Sequence, residues 1–220
     1  VRQCLAALSG YDFLNNRISH GYLKNHKIGN VILAILEKLT GDFERGLKLA
    51  SFVMRAKGKI IPITKDDAVV CARLQNGEVI TGENNLDTAD LQNVAQIFYK
   101  NHVVLNPSAK EALLYAGYII IGPGNLYCSI LPNLITQGFK EAIGQSNAKI
   151  IFLMNLVNRQ EHTMGWDTKK YVDIIESYLG KKIDFILINN GSFSKEQKEN
   201  YLAESGERVF MADNYKDSRI

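Results

Sequence analysis

Apolar residues recur along this chain with two periods, and the switch between them marks how it is organised. Residues 1–9 read as the end of a helix, and Tyr11 to Arg17 as an irregular link. Residues 31–39 are apolar almost all the way round, the pattern of a helix buried between layers. After the break at Gly41-Asp42, residues 43–55 carry Phe43, Leu47, Ala50 and Met54 at helical spacing. From Lys59 the pattern shortens. Residues 60–63, 68–74 and 79–81 read as strands, and Asn76-Gly77 between the last two is the sequence of a two-residue hairpin turn. An antiparallel excursion is therefore expected over residues 59–83, ending at Gly82-Glu83. Residues 86–101 are polar and give no period.

Beyond His102 strands and helices alternate. Strands are expected at residues 102–105, 118–121, 149–154, 183–188 and 208–211, and helices at 108–116, 129–143, 168–179 and 195–202. Asn106-Pro107 is a helix cap with proline at the first helical position, and Ser194 with Gln197 forms a capping box. Short apolar strands separated by helices imply parallel β-α-β units with both faces covered, so the fold class is α/β, a doubly wound and mostly parallel sheet with an antiparallel β-hairpin excursion.

In such a sheet ligands bind outside the carboxyl ends of the strands. The strand at 118–121 runs into Gly122-Pro123-Gly124, where missing Cβ atoms let a ligand approach the backbone and a following helix start offers unpaired N–H groups to a phosphate. The run is neither G-x-G-x-x-G nor a Walker sequence, and a tight turn with no ligand would give the same pattern. Residues 155–166 and 189–194 share that edge. The first is long for a β-α connection and holds Asn155, Asn158, Arg159, Glu161, His162 and Thr163, groups suited to a phosphate, a sugar or a base edge. No Ser or Cys stands in a nucleophile elbow. Cys128 near the helix start is either a reactive thiol or, more in keeping with free cysteines, a small packing residue. Tyr127 is placed to stack on a base or to pack over the loop, and His26 is either a site edge or a capping residue. His102 and His162 lack partners at metal-ligand spacing, so no protein-held metal is expected, while a Mg²⁺ carried in with phosphates is compatible.

Composition narrows the partners. The 220 residues are 46% hydrophobic, enough for a full core, and the net charge of +3 comes from scattered Lys and Arg, which gives no reason to expect nucleic acid. Cys4, Cys71 and Cys128 are odd in number and far apart, against a disulfide framework and in keeping with a reducing compartment. No run approaches the roughly 18 to 20 apolar residues of a membrane span, so no membrane insertion is expected and a cytoplasmic location is. The fold class suggests a homodimer.

Five ordered stretches resemble the gluconeogenesis factor family (YvcK-like), within the wider group that includes 2-phospho-L-lactate transferase (CofD-like). Residues 122–134, GPGNLYCSILPNL, resemble its Gly-Pro-Gly signature; His26-Lys27-Ile28-Gly29-Asn30 its His-x-x-Gly-Asn helix start; residues 58–64 its Gly-x-x-x-Pro-x-Thr strand; residues 77–83 its Gly-x-x-x-x-Gly-Glu turn; and Asn106-Pro107 with Ala109 and Ala112 its next helix. The resemblance implies a Rossmann-like fold, with residues 1–220 as one CofD-like domain. It implies a nucleotide-linked small molecule as partner, a UDP-sugar in the gluconeogenesis factor branch, with a role in cell shape and envelope synthesis on gluconeogenic carbon. The transferase branch instead moves a phospholactyl group to a deazaflavin precursor. By match to the motifs, Gly122, Gly124, Asn125, Ser129 and Asn133 are assigned the phosphate-facing role, joined by His26, Gly29 and Asn30 and, through a looser match, by Asn155 and Thr163. Where the family's long loop reads close to Asn-Leu-Met-Thr-Gln-x-Gly-Glu-Thr, this chain has Asn155-Leu156-Val157-Asn158-Arg159-Gln160-Glu161-His162-Thr163. The family also opens with a strand, a glycine-rich turn and an aspartate-containing segment, and Val1 matches a point downstream of these, so a domain incomplete at its N-terminus is expected.

Overall fold

Helices make up the first part of the chain, and sheets enter only in the second. The computed structural model describes residues 1–205, 208–210 and 215–220, and the chain divides into two units, Val1–Lys65 and Asp66–Ile220.

In the first unit, helix α1 (Arg2–Ser9) ends at Gly10 in the left-handed region (φ 74°) and a 3-10 turn follows at Asp12–Asn15. Helices α2 (Ile28–Thr40) and α3 (Phe43–Val53) form an antiparallel pair over Leu5, Leu14, Leu33, Leu47 and Ala50. Their approach is set by Gly46, where a Cβ would lie 2.7 Å from the Glu37 backbone nitrogen. The all-round apolar pattern of α2 does not translate into all-round burial, since Ile35 and Leu39 are exposed. Asp42 caps α3 by accepting from the Arg45 N–H at 2.9 Å. Residues 60–63 form no strand: Pro62 has no N–H for a ladder, and Ile60 packs against the helical core.

The second unit begins with an antiparallel sheet. Strands β1 (Val70–Leu74) and β2 (Val79–Thr81) meet at Asn76-Gly77, with Gly77 at φ 88° and the Asn76 side chain accepting from the Glu78 N–H. The stretch without a period resolves into helix α4 (Glu83–Thr88) and strand β3 (Val94–Tyr99), giving strand order β2-β1-β3. Helix α5 (Pro107–Tyr115) is capped by Asn106, whose Oδ1 accepts from the Ser108 N–H. Strand β4 (Tyr118–Ile121) leads into a π-helical turn at Leu126–Ile130, then α6 (Leu131–Leu134) and α7 (Phe139–Gln145). The single helix expected at 129–143 is thus broken, and the reason also explains why 102–105 is no strand. Gln137 leaves helical geometry to donate its N–H to the Val103 carbonyl and to accept from the Leu105 N–H, a bridge in place of a ladder.

Strand β5 (Lys149–Leu153) follows, then β6 (Val157–Arg159), α8 (Gln160–Thr163), α9 (Thr168–Leu179), β7 (Phe185–Leu187), α10 (Lys195–Ser205) and β8 (Arg208–Phe210). The capping box forms, with reciprocal bonds between Ser194 and Gln197. Strands β4, β5 and β7 make a parallel sheet in that order, and β6 pairs antiparallel with β8. Of the last expected strand, Met211 lies outside the described residues. The α/β class therefore stands, with one parallel sheet and two antiparallel ones among the described residues. One face of the parallel sheet, with Ile150, Phe152 and Ile186, is buried; on the other, Tyr118, Ile120, Phe185 and Leu187 are exposed. No helix of the described residues is long and apolar enough to cross a membrane.

Candidate functional site

The sequence-predicted residues divide between the units. His26, Gly29 and Asn30 lie at the start of α2 in the first. His26 and Asn30 are exposed, and the N-cap of the helix is Lys27 with no side-chain cap, so His26 does not cap it. Gly29 has a packing reason to be glycine: a Cβ would sit 2.8 Å from Arg2 Cγ and 3.0 Å from the Leu14 carbonyl oxygen.

The remaining residues belong to the second unit, where a cavity of about 510 Å³ opens at the carboxyl end of the parallel sheet. Gly124, Asn125, Asn155 and Thr163 line it, together with Asp87, Asn158, Arg159, His162, Tyr171 and Tyr201. Register explains the placement. Ile121 pairs with Phe152, so three residues further along Gly124 falls opposite Asn155. There the Asn155 carboxamide replaces a main-chain partner: the Gly124 N–H donates to Asn155 Oδ1 at 3.0 Å, and Asn155 Nδ2 donates to the Gly124 carbonyl at 2.9 Å. A Cβ on Gly124 would crowd Ser129 Cβ at 3.3 Å. At Gly122 it would meet nothing within 4 Å, and no left-handed φ requires glycine there, so packing gives no reason for this glycine.

Asn125 organises the turn that follows. Its Oδ1 accepts from the Tyr127 and Cys128 N–H groups at 3.1 and 3.2 Å. The donors expected to face a phosphate at a helix start are therefore already engaged by the protein's own amide. Asn125 Nδ2 donates to Asp87 Oδ1 at 3.3 Å and lies 3.2 Å from His162 Nδ1. His162 is buried, and its Nε2 is 3.0 Å from the Leu86 carbonyl. A carbonyl only accepts, so Nε2 carries the proton and Nδ1 accepts from Asn125, which defines a neutral imidazole. Burial pushes its pKa down, and the Arg159 charge adds to the effect.

Behind this lies a buried chain of neutral groups. Tyr171 Oη is 3.0 Å from Asn158 Oδ1 and 2.9 Å from Thr163 Oγ1. The amide oxygen only accepts, so the phenol proton goes to Asn158 and the Thr163 hydroxyl donates to Tyr171. Thr163 Oγ1 in turn accepts from the Arg159 N–H at 3.1 Å, and Asn158 Nδ2 donates to the Trp166 carbonyl at 2.8 Å. Residues 155–166, expected as a loop, thus carry a short strand and a helical turn. Arg159 brings charge to the cavity beside this network, paired with Asp87 and with Glu161.

Ser129 and Asn133 bond to each other, Asn133 Nδ2 donating to the Ser129 carbonyl at 2.6 Å, and do not line the cavity. Burial, aided by Asp87 and Glu83, pushes the Cys128 thiol up to about 11, the opposite of an activated thiolate. Tyr127 is buried and packs edge-on against His162 and Trp166, leaving the packing role. Sequence reasoning missed Asp87 and Tyr171. Asp87 sits in the stretch without a period, and Tyr171 reads as one more core position of an amphipathic helix.

The family described as 2-phospho-L-lactate transferase CofD matches residues 1–219. A putative gluconeogenesis factor of Thermotoga maritima is 34% identical over 93% of this chain and 63% of its own length, and one of Thermoanaerobacterium thermosulfurigenes is 32% identical over 100% and 71%. The chain thus spans less than two thirds of the Thermotoga relative. A crystal structure of a Bacillus halodurans protein superposes with a TM-score of 0.87 at 29% identity, covering 97% of this chain and 70% of that one.

Proposed function

The chain belongs to the CofD-like family that includes the gluconeogenesis factors, and from that premise we propose that its cavity binds a nucleotide-linked ligand, a UDP-sugar, in a regulatory role. In this reading the protein is a binding protein of the gluconeogenesis factor type, linked to cell shape and envelope synthesis during growth on gluconeogenic carbon. The observation that carries it is the Gly124–Asn155 bridge, which holds the glycine loop against an amide-rich cavity containing one guanidinium. Gly122 supports it, being a glycine without a packing reason beside that loop. The groups suited to acid-base or nucleophilic work are committed elsewhere: both His162 nitrogens are bonded, and the Cys128 thiol is held protonated. That favours binding over catalysis.

Calorimetric titration with UDP-glucose and UDP-N-acetylglucosamine tests the reading. Saturable binding is expected, and Gly124→Val, which drives a branched side chain into Ser129, abolishes it; unchanged affinity in that variant removes the loop from the site. The matched family's description favours a second reading, a transferase acting by positioning and electrostatic stabilisation without a protein nucleophile. Incubation with a nucleotide-activated phospholactate and the deazaflavin acceptor decides between the two, since absence of product at saturation removes the transferase.

A further inference from the structure

Arg159 is the one Lys or Arg among the described residues lining the cavity. Its backbone is fixed twice, by pairing with Arg208 across β6 and β8 and by the N–H bond to Thr163 Oγ1. The guanidinium is held by acids. One terminal nitrogen donates to Asp87 Oδ1, the other to the Asp87 backbone carbonyl, and Nε donates to Glu161 Oε2 at 3.2 Å. One cation and two carboxylates leave the trio with a net formal charge of minus one. Asp87 comes from α4, 72 residues earlier in the chain, and its side chain is 52% exposed against 29% for Arg159. The carboxylate is thus the outer, water-facing member of the pair, while the guanidinium is the inner one.

A phosphate oxygen accepts from a guanidinium as a carboxylate oxygen does, so it can take the place of Asp87 Oδ1 on one terminal nitrogen while the Asp87 backbone carbonyl keeps the other. We propose that Arg159 is the cation that receives the phosphate oxygens of the ligand in this cavity, and that Asp87 is its resident counter-ion, displaced as the phosphate enters. The inference rests on the reading of this cavity as a phosphate-ligand site, and it deepens that reading by stating what the ligand must carry. An anion has to overcome a net negative cluster and compete with a carboxylate already in place. A diphosphate, with more charge and more acceptor oxygens than a monophosphate, competes better, so the exchange selects nucleoside diphosphate derivatives over monophosphates.

The probe is inorganic pyrophosphate, titrated calorimetrically at fixed ionic strength into the whole chain and two variants. Asp87→Asn keeps the shape and removes the charge, and is expected to bind about tenfold tighter; Arg159→Gln is expected to bind at least about tenfold more weakly. Should Asp87→Asn fail to give a cooperative thermal transition, Glu161→Gln replaces it, with an expected gain of about threefold. Equal affinity in the wild-type chain and the charge-removing variant overturns the counter-ion role, and undiminished binding by Arg159→Gln overturns the receptor role. Absence of pyrophosphate binding in every folded form overturns both. A parallel titration with UDP-glucose separates this inference from the proposed function. Pyrophosphate responding as expected without UDP-sugar binding removes the UDP-sugar alone, whereas UDP-sugar binding with pyrophosphate indifferent to both substitutions removes the exchange alone.

Discussion

The cavity has two walls of opposite character. On one side Asn158, Thr163, Tyr171 and His162 are buried, neutral and bonded to one another or to carbonyls. On the other, Asp87 and Arg159 are charged and reach water, and Glu161 holds the Arg159 Nε. A buried neutral network is costly to damage, because any partner left behind is desolvated and unpaired. A half-exposed ion pair is screened, and its net worth is of order 0–1 kcal/mol. The neutral network is therefore where stability resides, and the charged groups contribute little to it.

The sharpest way to break this contrast is Asn158→Ala, which removes the acceptor of the Tyr171 phenol proton and the donor to the Trp166 carbonyl inside the unit. A loss of about 2–4 kcal/mol is expected in urea unfolding; a loss below about 1 kcal/mol would mean that water replaces the network. Asn125→Ala comes next, at about 1–2 kcal/mol, since it removes a cap from two N–H groups together with the hydrogen bond to His162.

The third test uses pH. The His162 pKa is lowered on folding, so the unfolded chain takes up the proton first. Stability is then complete above the unfolded value near 6.5 and falls as pH drops from there toward the folded pKa, with a slope of at most about 1.4 kcal/mol per pH unit. His162→Gln should flatten that part of the profile. The acid loss owed to carboxylates with lowered pKa, such as Glu176 and Asp184, belongs below their ordinary range and should survive the substitution. The smallest effect is expected at Gly122→Ala, within about 0.5 kcal/mol of wild type in stability, because its Cβ meets nothing, yet with weakened UDP-sugar binding. A large stability loss there would show that packing, and not a ligand, requires the glycine.

Local chemistry was legible in the sequence, and long-range competition was not. The Asn106-Pro107 cap and the Ser194 capping box are written in adjacent residues and form as read, and the hairpin forms at Asn76-Gly77 with a three-residue loop, 75–77, in place of the expected two-residue turn. The helix expected at 129–143 failed because Gln137 bonds to Val103 and Leu105, distant in the chain, partners no local pattern announces. The site divides in the same way. Gly124, Asn125 and Asn155 came from strand ends and family motifs, and the structure gathers them. Asp87 was invisible, because a lone acid in a polar stretch becomes informative only when α4 is set beside Arg159. Gly29 warns in the other direction: it belongs to a motif matched on sequence, and its glycine is accounted for by Arg2 and Leu14.

The Gly124–Asn155 pair also decides how the loop can move. Since a side chain supplies the last rung beyond Ile121, releasing Gly124 requires one carboxamide to rotate and no strand to unzip. The relevant clock is then that of a rotamer change, faster by orders of magnitude than the local unfolding a main-chain pairing would demand. Gly124 can thus part from Asn155 while the sheet beneath it stays intact.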